Sequence, residues 1–281
     1  MVLRAIQPKT IEKRLKALFY GGAGAGKSTA AASFPRPYFI DTERGIENDQ
    51  YVRLLKDNGG AVFQTTDFDE VVSEVTALLS EKHEYKTLVI DPFTTLYNDL
   101  LEKSEKLVGS DFGRHYAHSN KKVKHLLGLL LRLDMNVIIT CHSKNEYGQN
   151  LSITGTTYDG YKKLEFLFDL CIEVQKRGKD RVGIVKKSRI ESIPDGESFP
   201  FSYDEIAKRY GREVLERDAI AQELATSEQV SEILRLIDLI KVPPEMYQKW
   251  LDKASSDRWE EMPRDAIQKC IDHLKSKIKG E

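Results

Sequence analysis

Residues 21–28 read Gly21-Gly22-Ala23-Gly24-Ala25-Gly26-Lys27-Ser28 and fit the pattern G-x-x-x-x-G-K-[ST] of a phosphate-binding loop. Before them, Lys16-Ala17-Leu18-Phe19-Tyr20 predicts a short buried strand. After them, Ser28 to Ser33 predicts an Ala-rich helix start. Glycines let the backbone fold so that successive N–H groups face phosphate oxygens, and the helix N-terminus adds a dipole that favours an anion. In this reading Gly21 through Thr29 hold the nucleotide, Lys27 reaches the β- and γ-phosphates, and the Ser28 hydroxyl ligates Mg2+. A Gly/Ala-rich turn matching by chance is the other reading; the flanking strand and helix weigh against it. The stretch therefore implies binding of a nucleoside triphosphate.

The chain of 281 residues has room for one large domain and a small one. Its 40% hydrophobic and 31% charged content is ordinary for a globular protein. A net charge of −1 gives no global pull toward nucleic acid or membrane, so any such binding must come from local patches. Cys141, Cys171 and Cys270 show no disulfide or metal-type spacing and read as reduced thiols. The longest apolar cluster, residues 126–131, is too short to span a bilayer. With no apolar signal core at the start, the expectation is a cytoplasmic protein without a membrane partner.

Strand candidates at 16–20, 37–41, 87–91, 136–141, 170–176 and 181–187 alternate with helical stretches at 68–82, 93–107 and 121–133. This alternation predicts an α/β fold, a mostly parallel sheet flanked by helices. The last two strands, joined by a short turn at 177–180, predict an antiparallel hairpin at the sheet edge. The expected division is a core over 1–210, a helical connector over 211–225, and a small three-helix module over 226–281. In the module, Thr226-Ser227-Glu228-Gln229 suggests a capping box, and Ile267, Ile271, Leu274 and Ile278 form an apolar stripe.

Thr87-Leu88-Val89-Ile90-Asp91 is an apolar strand ending in a carboxylate, the Walker B pattern. At the C-terminal end of such a strand Asp91 lies beside the P-loop and helps hold Mg2+. The second strand ends Tyr38-Phe39-Ile40-Asp41-Thr42-Glu43. Its carboxylates are either solvated turn residues or part of the site, with Asp41 holding Mg2+ or an arginine. The fourth strand ends Ile139-Thr140-Cys141-His142, and His142 either faces solvent or faces the phosphates.

In this order, over roughly residues 8–210, the motifs resemble the RecA-like P-loop ATPases. They are most similar to phage-encoded RecA-like nucleotide-binding proteins implicated in single-strand DNA annealing and recombination. The resemblance implies ATP and Mg2+ as cofactors. It makes Glu43 the residue that polarises the attacking water, and His142 the sensor of the γ-phosphate. Lys187-Ser188-Arg189 matches a late Lys-x-Arg motif, with Ser188 where the usual triplet has Asn. It implies that Lys187 and Arg189 complete a neighbouring subunit's site, within a ring or filament. Residues 176–189 carry seven basic side chains against one acid, Asp180; a solvated sheet edge kept from aggregating is the bland reading. Single-stranded DNA is the implied partner. The segment 143–163, with Tyr147, Tyr158 and Tyr161 among Lys144, Lys162 and Lys163, is read as a mobile loop for it, and Lys121, Lys122 and Lys124 as a second patch.

Residues 226–281 hold ten basic and eleven acidic side chains, which disfavours phosphate-backbone binding and suggests a protein partner. The alternative function is accordingly a helicase loader or other partner-remodelling ATPase. A small-molecule kinase is disfavoured because no Arg-rich lid follows Asp91, and a GTPase because no guanine-reading Asn/Thr-Lys-x-Asp motif is present.

Overall fold

In the computed structural model, which describes residues 13–147 and 152–279, the period-2 alternation of β1 (Lys16–Gly21) divides the molecule into two layers. Leu18 and Tyr20 enter one apolar cluster, Ala17 and Phe19 the other. Along the chain follow α1 (Lys27–Ala32), β2 (Pro37–Asp41), α2 (Asp49–Asp57), β3 (Ala61–Gln64), α3 (Phe68–Ser80), β4 (Thr87–Asp91), α4 (Phe93–Val108), α5 (Arg114–Arg132) and β5 (Asn136–Tyr147). Then come β6 (Ile153–Tyr158), α6 (Leu164–Leu167), β7 (Leu170–Arg177), β8 (Asp180–Ser188), β9 (Ser198–Pro200), α7 (Tyr203–Tyr210) and α8 (Arg212–Glu216). The chain closes with α9 (Ser227–Ile240), α10 (Pro244–Lys253) and α11 (Arg264–Lys279).

The sheet order is β3-β2-β4-β5-β1-β7-β8-β9, parallel from β3 through β7 and antiparallel beyond. Ile40, Leu88, Ile90, Val137 and Ile139 join Leu18 under α3, α4 and α5, through Val71, Leu96 and Leu126 among others. Phe39, Val89, Ile138 and Ile172 join Phe19 under α1, α7 and α8, through Ala31, Ile206 and Leu215. This is the expected α/β architecture. The β7–β8 hairpin forms as expected, but β9 pairs beyond it and takes the sheet edge.

Two expected elements differ. The segment 211–225 is helical only over Arg212–Glu216. Its backbone groups find partners outside the helix as well: the Arg14 guanidinium donates to the carbonyl of Val214 within α8 and of Asp218 beyond it, at 2.9 and 2.5 Å. The Gln222 amide donates to the Leu79 carbonyl at 2.7 Å, and the Ala225 amide to that of Met262 at 2.9 Å. Much of the segment after Cys141, expected as a loop, is strand: residues 143–147 and 153–158. There β5 runs on to Tyr147 and pairs antiparallel with β6, forming a two-stranded extension of the sheet. Tyr158 and Tyr161 are buried there, edge-on to Tyr20 and Tyr97. Of the three tyrosines only Tyr147 is exposed; residues 148–151 lie outside the described residues.

The C-terminal helices pack around Ile233, Leu236, Ile267, Ile271 and Leu274, and the capping box closes reciprocally between Thr226 and Gln229. The module docks on α5. Arg132 donates to Gln222 Oε1 at 2.7 Å and to the Glu261 carbonyl at 2.7 Å. His125 Nε2 lies 3.4 Å from the buried Glu261 carboxylate. Burial pushes that carboxyl up, but His125, the Asp257 amide and Arg258 outweigh it and hold it at about 2. A depressed carboxylate contributes stability above its unfolded value of 4.5, and that contribution is lost as pH falls toward 2. Glu261→Gln should therefore destabilise the protein by about 2–3 kcal/mol at pH 7. In thermal denaturation across the acid range the gap to wild type should close below about pH 3; a gap independent of pH would contradict the ion-pair account.

Candidate nucleotide site

Strand β1 ends at Gly21, where a Cβ would stand 2.2 Å from the Val174 carbonyl oxygen of β7. Only glycine fits there, so the chain can leave the sheet and turn into the loop. Gly26, at φ 98°, caps α1 from the left-handed region. It offers no side-chain hydrogen bond to the first turn of α1, which also holds no acid. The N–H groups of that turn are thus open toward an anion. Lys27 folds back over the loop, donating to the carbonyls of Gly21 and Gly22 at 2.8 and 3.0 Å. Burial pushes its ammonium pKa down, and the charge of Asp91 opposes that.

The register then sets the acidic groups around this cradle. Asp41 and Asp91 end neighbouring strands as direct partners, and Gly21 pairs with His142. Asp91 is buried and its carboxyl is pushed up by desolvation, against hydrogen bonds from Thr140 and Ser28 and the charge of Lys27. Ser28 and Asp91 thus already meet, as a shared metal site requires. The Asp41 carboxylate accepts from the amides of Glu43, Gly45 and Ile46 at 3.1, 3.2 and 3.1 Å. It anchors the turn that presents Glu43. The Glu43 carboxylate accepts from the Thr95 hydroxyl and lies 3.5 Å from His142 Nε2. His142 is exposed, and its imidazole turns toward Glu43 at the rim of the site.

Lys27, Ser28, Asp91, Glu43 and His142 are thereby collected at the C-terminal ends of β1, β2, β4 and β5, where open α/β sheets bind ligands. Lys187 and Arg189 are not among them. Lys187 pairs with Cys171, and Cys171 with Leu18, toward the opposite end of the sheet from Gly21. There Lys187 donates to the Phe168 carbonyl, and Arg189 to that of Phe166 at 2.7 Å. Sequence reasoning missed Thr140 and Thr95. A threonine inside the apolar run Val137-Ile138-Ile139-Thr140-Cys141 was a readable signal for Thr140; Thr95 reaches Glu43 only through tertiary packing.

A glycine-turned loop closed by a lysine, beside a strand-end carboxylate in a mostly parallel sheet, defines a P-loop NTPase fold. The family model described as AAA domain matches residues 13–193, and the chain belongs to that family. No curated protein matches it. Among solved structures, the crystal structure of the RadB recombinase is 18% identical, over 67% of this chain and 86% of that one, with a TM-score of 0.46. A DnaB-like replicative helicase, described with its interactions with primase, is 10% identical with a TM-score of 0.37. That alignment covers 67% of this chain and 56% of the helicase. Among the described residues no helix is long and apolar enough to cross a membrane.

Proposed function

We propose that the chain is a RecA-like ATPase that binds single-stranded DNA and promotes annealing or homologous recombination, with hydrolysis completed between adjacent subunits. The observation that carries the reading is the gathering of Lys27, Ser28, Asp91, Glu43 and His142 around one loop. Lys27 exchanges the Gly21 and Gly22 carbonyls for phosphate oxygens. Mg2+ carried with the nucleotide would draw on Ser28 and Asp91 and neutralise phosphate charge. Glu43, held by Thr95, orients the attacking water, and His142 beside it responds to the γ-phosphate end of the ligand. Lys187 and Arg189, remote from their own loop, act on a neighbouring subunit's nucleotide.

Support for the DNA role is the strand that carries His142. It continues into the β5–β6 extension, whose exposed side chains include Tyr147 and Ile153. The exposed Tyr147 suits base stacking, and the exposed Lys144 of the same strand, which pairs with Asp159 at 2.9 Å, adds an amine to the extension. Annealing of complementary labelled oligonucleotides tests the reading. The protein should accelerate it, its affinity for single strands should fall steeply with added salt, and Tyr147→Ala should weaken binding by about tenfold. Failure to anneal or a flat salt response would refute it. Leu234 and Leu239, exposed on α9 of the near-neutral C-terminal module, favour the second reading, a helicase loader or partner-remodelling ATPase. A stable complex with a replicative helicase in the absence of annealing would select it.

A further inference from the structure

The turn after β2 is pinned by Asp41 through the amides of Glu43, Gly45 and Ile46. Among them Arg44 stands at φ 56° and ψ 28°, in the left-handed region. That region suits glycine and disfavours residues with a Cβ. Glycine is the next residue in the chain, yet Gly45 is not one of the residues at positive φ. A Cβ on Gly45 would meet nothing within 4 Å, so the fold has room for a side chain there. The turn thus puts its arginine at the strained position and its glycine at the unstrained one. Backbone strain of this kind gathers at functional sites.

Arg44 is exposed. Among the described residues no carboxylate pairs with it and no acceptor takes its N–H groups, whereas Arg36, Arg209 and Arg212 each hold a carboxylate. It directly follows Glu43, whose carboxylate meets Thr95 and His142. A guanidinium without a counter-charge therefore stands next to the carboxylate read as orienting the attacking water. Lys27 approaches from the loop, and Lys187 and Arg189 lie toward the opposite end of the sheet. A planar cation suits the oxygens of a phosphoryl group in transfer.

We propose that Arg44 is a catalytic residue of its own chain, its guanidinium closing on the γ-phosphate of bound ATP as the phosphoryl group leaves. The inference rests on the reading of this rim as an ATPase site and adds a cation supplied from within the chain. Water bonds to the γ-phosphorus, and the bond to the bridging oxygen breaks with its electron pair going to ADP. The water's proton leaves by way of Glu43; Arg44 keeps its own protons and offsets the charge.

Calorimetry with ADP and aluminium fluoride, which together stand in for the phosphoryl group in transfer, reads this contact apart from turnover. Arg44→Gly should weaken that complex by about 10- to 100-fold, the size of one charge-assisted hydrogen bond, and leave ATP within about threefold. Turnover should fall by the same factor, and Arg44→Lys should recover part of both losses. The glycine variant should melt no lower than wild type, since glycine relieves the turn. Mixing Arg44→Gly with Lys27→Ala should restore no hydrolysis, because each chain then lacks a residue of its own site. Wild-type binding of the fluoride complex by Arg44→Gly, a lowered melting temperature in it, or hydrolysis regained on mixing would overturn the assignment while the P-loop reading stands. Wild-type protein that binds no ATP would remove both.

Discussion

Lys27→Ala is expected to eliminate measurable hydrolysis and to weaken nucleotide binding by about 100-fold or more, the scale of losing a buried charge on phosphate. The same substitution should leave the ligand-free protein about as stable as before. Lys27 is buried and desolvation works against its charge, while its partners are two backbone carbonyls of the loop it serves. Removing it relieves that cost as it removes two hydrogen bonds, so the terms oppose each other. A second loss follows at Asp91. The Lys27 charge helps pull that buried carboxyl down; without it the group stays protonated to higher pH, and the metal-facing carboxylate weakens with the phosphate contact. Titration calorimetry and a thermal scan of the two proteins check both halves. Wild-type ATP affinity in the variant would contradict the site, and a collapsed melting temperature would recast Lys27 as structural.

The reason Lys27 could be named from sequence is that the P-loop is local: its spacing, preceding strand and following helix are contiguous. The Walker B strand and the β2 rim were legible for a related reason, since fully buried parallel strands read as apolar runs with a polar end. Elements that escaped are those with little to bury. Strand β3 is four residues long and mostly half-exposed, β9 is three residues with Pro200, and α2 buries only Leu55. The β5–β6 extension lies past the part of β5 that is buried, so its polar sequence looked like loop. Helix α5 starts at Arg114 rather than Lys121; its first turns, residues 114–120, escaped the sequence reading because they carry no apolar stripe. Asp41 shows a different limit. Sequence places two carboxylates at one rim, but only the three amides converging on Asp41 tell the turn-builder from the free acid.

That distinction sets up the second large effect. Glu43→Gln should lower kcat for ATP by about 100- to 1,000-fold, the usual range for a lost general base, with KM within about threefold. The amide keeps the size of the side chain and can still accept from the Thr95 hydroxyl, so the geometry of the rim survives. What disappears is the negative charge facing His142 and the acceptor for a proton from water. Asp41→Asn is the contrast. It unseats the turn built on three amides, so it should lower the melting temperature and disturb binding together with turnover. Single-turnover hydrolysis, measured beside binding for both variants, separates a water-orienting residue from a scaffold. If Glu43→Gln turns over at the wild-type rate while Asp41→Asn fails, the rim matters only as architecture. The water must then be oriented from elsewhere, with His142 the nearest polar side chain left to test.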